Sequence, residues 1–211
     1  NVWPDNPMGW GAAELKYRFN WNFPLMFSPH DANTLYAAGN VLFKTNDEGE
    51  TWQPISGDLT RNIKEKQQSS GGPITQDNTS VEYYGTIFAL AESLHEPGVI
   101  WTGSDDGLVH LTRDGGATWT NVLSAGEWTG VTDVVMDPTD PDVLYAATHQ
   151  RHRTVWALVN GGPESGIHKS VDGGETWTEL TSGLPSEDKG KMSLGVSPQN
   201  PDVVYATIEL A

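Results

Sequence analysis

The chain has 211 residues, formal charge −16, nine Trp and no Cys. The missing cysteines exclude disulfides and thiolate metal sites, and the acidity argues against a nucleic-acid backbone or an anionic membrane as the main partner. No apolar run approaches the ~20 residues of a membrane-spanning helix, while 23 Gly and 13 Pro favour many turns and short strands over helices.

In chain order, the first element is "FPLMF" at 23–27, a short apolar run before the turn-and-strand phrase "SPHDANTLYAAG" from Ser28. The octet Ser/Thr-x-Asp-x-Gly-x-Thr-Trp follows, within "KTNDEGETWQPI" at 44–55. The same succession returns as "TIFALAE", "SLHEPGVIWTGS" from Ser93 and "LTRDGGATWTNV" at 111–122. It returns again as "VTDVVM", "DPTDPDVLYAAT" from Asp137 and "KSVDGGETWTEL" at 169–180. A last pair, "MSLGV" and "SPQNPDVVYATI" from Ser197, has no octet after it. A Pro/Asp/Asn turn before an alternating apolar run reads as turn then strand. The unit is therefore strand, turn, strand, loop, strand, octet turn, strand.

The phrases are spaced by 65, 44 and 60 residues. A period near 44 with four strands per unit predicts an all-β fold of β-propeller blades, each of four antiparallel strands. The blades fall near 17–56, 84–123 and 130–181, with a partial one at 190–211, about three and a half in all. The longer spacings mark insertions at 60–82 and 149–165, both expected to be surface loops. Half a blade leaves an open strand edge. The expectation is a piece of a larger propeller, completed by the remainder of a longer chain or by a second copy.

Each octet is expected to shape a hairpin. Asp47, Asp114 and Asp172 accept from turn N–H groups. Gly49, Gly116 and Gly174 supply positive φ, and Trp52, Trp119 and Trp177 pack between blades. Three equivalent aspartates, one per blade, suit a folding device better than a catalytic centre, which needs one special environment.

The octet is the Asp-box, or bacterial neuraminidase repeat, and the chain resembles the Asp-box β-propeller family. That group includes sialidases, sortilin-type domains, xyloglucan-active glycosidases and photosystem assembly-factor propellers. "GSDDGLVHLTRDGGATWTNV" and "SGGPITQDNTSVEYYGTIFALAES" look most like bacterial sortilin-like and glycosyl-hydrolase-like members. The resemblance implies a secreted or periplasmic protein. It leaves three functions open: a scaffold for a protein, peptide or glycan ligand, a glycan-active hydrolase, or an assembly factor.

Strand parity puts the octets on one face and both insertions on the other, where loops displayed by a rigid scaffold carry function. That face collects Asp105 and Asp106 of "GSDDG", Trp128 of "SAGEWTG", and His149, Arg151 and Arg153 of "THQRHRTVW". Glu127, His152, Trp156, Arg61 and Lys64 belong to the same region. Guanidinium groups bind carboxylates in a fork and indole faces stack on sugars or cations, so Asp105, Asp106, Trp128, His149, Arg151 and Arg153 are the candidate ligand residues. The competing reading makes "DD" a turn and "RHR" a solvated loop. His110 and His168 are equivalent strand positions, better explained by packing than by a shared metal. No cofactor or metal site is expected. With five Arg in all, one of them inside an octet, the arginine triad of a sialidase is not evident. A glycosidase would need a carboxylate pair, of which Asp105 is one candidate and the second has no obvious residue.

Overall fold

The computed structural model describes residues 2–3, 9–69, 78, 83–153 and 156–211. The first phrase and octet fold into an antiparallel sheet in chain order: β1 (Leu25–Phe27), β2 (Leu35–Ala38), β3 (Leu42–Thr45) and β4 (Gln53–Pro54). The second sheet repeats it with β5 (Ile87–Glu92), β6 (Ile100–Ser104), β7 (Leu108–Thr112) and β8 (Thr120–Ser124). The third holds β9 (Thr129–Met136), β10 (Leu144–Arg153), a short β11 (Leu158–Asn160), β12 (Ile167–Ser170) and β13 (Thr178–Leu180). Finally, β14 (Lys189–Val196) and β15 (Val204–Leu210) pair with each other. The all-β architecture of antiparallel four-strand sheets read from the sequence is the one observed.

Alternation builds the core between sheets, because every second side chain leaves each face. Trp101, Val109 and Leu111 of the second sheet pack against Val131, Val134 and Leu144 of the third. Tyr36, Ala38 and Leu42 of the first meet Ile87 and Ile100 of the second. Tyr145, Ala147 and Ile167 meet Met192 of β14. Each fully buried large apolar side chain contributes roughly 1.5–3 kcal/mol, so the interfaces between blades hold the molecule together. The segment before β1 covers the outer side of the first sheet with Phe19, stacked on Phe43 at 5.9 Å. Arg18, 2 % exposed, anchors this segment by donating to Asp58 at 2.8 Å, Thr60 Oγ1 at 3.1 Å and the Gly85 carbonyl at 3.0 Å.

All three octets adopt one hydrogen-bond pattern. Asp47, Asp114 and Asp172 each accept from a Thr backbone N–H four residues on, at 2.8–2.9 Å, and from that Thr's hydroxyl. The leading Thr45, Thr112 or Ser170 hydroxyl donates to the same carboxylate and accepts from the octet Gly N–H. Each octet Trp Nε1 donates to the carbonyl of its own Gly at 3.0–3.2 Å. The rings reach outwards: Trp119 packs on the first two sheets' cluster, Trp177 on that of the second and third, and Trp52 on the aromatic N-terminal segment. Gly174, at φ +84°, presses against Trp101 so closely that an added Cβ would lie 2.3 Å from its Nε1.

One expectation is corrected. The insertion at 149–165 is not a loop throughout, because β10 runs on to Arg153 and pairs with β11 in register, Arg151 opposite Asn160 and His152 opposite Val159. "HQRHR" is polar on both faces, so period-two alternation could not mark it as strand. Within 60–82, Lys64–Gln67 form a 3-10 turn, and 70–77 and 79–82 lie outside the described residues.

Candidate functional site

β7 has Asp105 and Asp106 just before its first residue and the octet of Asp114 at its far end, about 17 Å away at ~3.3 Å per residue. The Asp105 end opens onto a cavity of about 630 Å³. Its walls come from β5, the start of β9, the extended end of β10, β11, β14 and β15. Asp105, Trp128, His149 and Arg151 line it, as do Lys191 and Glu209.

The neighbouring aspartates part company. Asp105 Oδ1 accepts from the Gly85 N–H at 3.0 Å and the Thr86 N–H at 2.8 Å, and Oδ2 from Thr86 Oγ1 at 3.1 Å. Burial first, and then the charge of Asp106, pushes its carboxyl up to about 7, against the pull of those donors. Asp106, 1 % exposed, does not line the cavity. Its carboxylate accepts from Ser104 Oγ and from the Arg61 N–H at 2.7 Å. Burial raises its pKa while Ser104 and Arg61 oppose the shift. Arg61 completes a clamp by donating to the Asp106 carbonyl at 2.6 Å and the Ala125 carbonyl at 2.7 Å, which fixes the loop leading to Trp128. Asp106 and Arg61 therefore brace the loops behind the cavity and do not line it. Lys64 likewise holds its own turn, donating to Asn62 Oδ1 and Gln67 Oε1.

Trp128 is sandwiched. The His152 ring stacks on it at 3.7 Å between centroids and 18° between planes, and Lys66 Nζ stands 3.6 Å from the same centroid. Two groups that near one centroid would collide on a single side, so they occupy opposite faces of the indole. The face expected to stack on a ligand is thus covered, and the 38 % exposure of Trp128 is an edge. Lys66 is steadied by Glu127, through its carboxylate at 3.4 Å and its carbonyl at 3.3 Å. Sequence reading passed over Lys66. Its place in the 60–82 insertion was the one available signal.

His149 is 8 % exposed, and its Nε2 has no hydrogen-bond partner among the described residues. Burial, followed by the Arg151 charge, holds its pKa below the usual imidazole value, while a hydrogen bond with Asn160 opposes them. Asn160 Nδ2 donates to Glu209 Oε1 at 3.1 Å, which leaves the amide oxygen for the imidazole. Since Nε2 is unpartnered, Nδ1 carries the proton, a tautomer assigned from the network. Glu209 Oε2 also accepts from the Lys191 N–H at 3.3 Å. Arg151 and Lys191 are exposed and form no ion pair among the described residues. Arg153 ends β10, and its side chain lies outside the described residues. Trp156 is 88 % exposed beyond β10. No group of three His, Asp or Glu side chains among the described residues could hold a metal ion, and no helix among them is long and apolar enough to cross a membrane.

No protein-family profile matches the chain. It is 24 % identical over 164 residues to a probable oligoxyloglucan-reducing end-specific xyloglucanase of Neosartorya fischeri, covering 72 % of this chain and 17 % of that protein. The crystal structure of an ancestral GH74 enzyme superposes with a TM-score of 0.62 at 20 % identity, over 98 % of this chain and 23 % of the other. The GH74 xyloglucanase of Xanthomonas campestris gives 0.59 at 17 % identity, over 86 % and 26 %. The chain thus spans about a quarter of these solved chains and a smaller share of the curated relative. At these identities the likeness establishes the fold: the chain is built of β-propeller blades.

Proposed function

We propose that this chain is a glycan-binding β-propeller unit that uses the cavity at the Asp105 end of its blades. One observation carries the reading. The cavity brings together His149 Nε2, which has no hydrogen-bond partner among the described residues, and the Arg151 and Lys191 side chains, which form no ion pair among them, on paired strands, with Lys191 Nζ 5.8 Å from the Phe88 ring centroid. Sites of this size with a few fixed polar groups are where small ligands bind. The weak likeness to a xyloglucanase favours a sugar over a peptide. Titration with an oligosaccharide panel, followed by amide NMR, tests it. Shifts should cluster at 128–132, 149–152 and 191 and leave the octets still. Shifts confined to the octets, or none with any oligosaccharide, would overturn the reading.

A hydrolytic function is the second reading, and Asp105 favours it. A carboxyl pushed up to about 7 beside a cavity has the profile of a general acid. Against it, three donors already hold that carboxylate. Release of reducing sugar from a xyloglucan oligosaccharide, abolished by Asp105→Asn, would decide for the enzyme. Binding without turnover would decide for the scaffold.

A further inference from the structure

Resting on the glycan reading, we infer that the cavity selects an acidic sugar: a residue bearing a carboxylate beside free hydroxyls, as in a uronic-acid unit of a glycan.

The charge distribution comes first. The chain carries −16 overall, yet the cavity draws Lys66, Arg151 and Lys191 from only 12 Lys and Arg. Arg151 and Lys191 have no carboxylate partner among the described residues. The acids in the wall form no ion pair with them among the described residues, and their hydrogen bonds come from other, neutral donors. Asp105 accepts from three donors, and Glu209 accepts from Asn160 Nδ2 and the Lys191 N–H. A guanidinium presents a planar fork that fits a carboxylate, so Arg151 with Lys191 is equipped for an anionic group.

The buried acceptor is independent of that charge. An imidazole nitrogen that is nine-tenths buried and unpaired is costly unless something completes it. Asn160 takes the Nδ1 proton and is itself held by Glu209, so the chain Glu209–Asn160–His149 leaves the Nε2 lone pair as the free acceptor. The group that satisfies an acceptor is a donor, such as a sugar hydroxyl. A simple carboxylate would leave His149 unsatisfied, and a neutral sugar would leave the two cations idle. A uronate supplies both. Asn160 acts here as a positioning residue, fixing the tautomer.

Isothermal titration of the 211-residue chain with four probes tests the inference: trigalacturonate, its methyl ester, a neutral xyloglucan heptasaccharide and pentaglutamate. Trigalacturonate should bind roughly tenfold or more tighter than its ester, the scale of one charge-assisted hydrogen bond, and added salt should weaken it. Arg151→Gln and Lys191→Gln, both at exposed positions, should remove most of that preference, weakening trigalacturonate several-fold more than its ester. His149→Phe should weaken acid and ester together. Equal affinity for acid and ester, or binding of the heptasaccharide alone, would overturn the acidic-sugar inference and leave the glycan reading standing. Pentaglutamate binding as tightly as trigalacturonate would overturn the glycan reading itself. No binding to any probe would sink both.

Discussion

The two ends of the blades are built on opposite plans. At the octet end, three short segments repeat one pattern of hydrogen bonds, each within eight residues, and the carboxylates sit in water. At the cavity end nothing repeats: Asp105, Trp128, His149 and Lys191 each occur once, and their partners lie far along the chain. The electrostatics follow suit. Hydrogen bonds from Thr45, Thr118 and Thr176, respectively, lead the effects that hold Asp47, Asp114 and Asp172 down at about 2. Burial drives Asp105 up to about 7. From a common unfolded value of 3.8, the octet aspartates stabilise the fold above about pH 4, and that contribution is lost as pH falls through 2. Asp105 acts with the opposite sign: its contribution is complete below about pH 4 and is lost as pH rises through 7. Repetition thus marks the scaffold, and singular groups with distant partners gather at the candidate site.

The largest effect should come from breaking the scaffold where it meets its neighbour. Gly174→Ala puts a methyl group against the buried Trp101 indole and a side chain at φ +84°. Together these cost about 2–5 kcal/mol, which for a chain of this size is on the order of 10 °C in melting temperature. A loss of under 2 °C would mean the blades are not held by that approach. Next comes Asp105→Asn, which can keep the backbone acceptor role without the buried charge. Its melting temperature relative to the parent should climb by several degrees between pH 4 and pH 7. A flat difference across that range would show that burial does not govern Asp105.

A smaller change is expected at the octets. Asp172→Ala should lower the melting temperature by a few degrees near neutral pH, with little difference left at pH 2, and should leave oligosaccharide affinity intact. Asp47→Ala and Asp114→Ala should behave alike, and strongly unequal losses would break the equivalence of the three turns. The smallest change sharpens the comparison within the repeat. Glu48 holds φ +59° where the other octets have Gly115 and Gly173. Glu48→Gly relieves about 1–2 kcal/mol of left-handed strain but gives back about 0.4–1 kcal/mol in unfolded-chain entropy. Calorimetry should therefore show a gain of at most about 3 °C, and a clear loss would mean that the Glu48 side chain matters more than its backbone.

The sequence by itself determined the repeat, the four-strand unit and the octet turns. Their instructions are local: an Asp, a Gly and a Thr within five positions satisfy one another, and period-two alternation sets which faces are buried. It also pointed to the end of the blades where Asp105, Trp128, His149 and Arg151 gather. Only the tertiary structure decided what each of them does there. That Asp105 lines the cavity while Asp106 binds Arg61 depends on a partner 45 residues away. That the Trp128 faces are closed depends on Lys66 from one blade connection and His152 from the extended β10. That His149 presents a bare Nε2 depends on Asn160, itself set by Glu209 across 49 residues. Such partnerships leave no periodic trace, because desolvation and long-range hydrogen bonding are decided by which strands come together, not by which residues are neighbours in the chain.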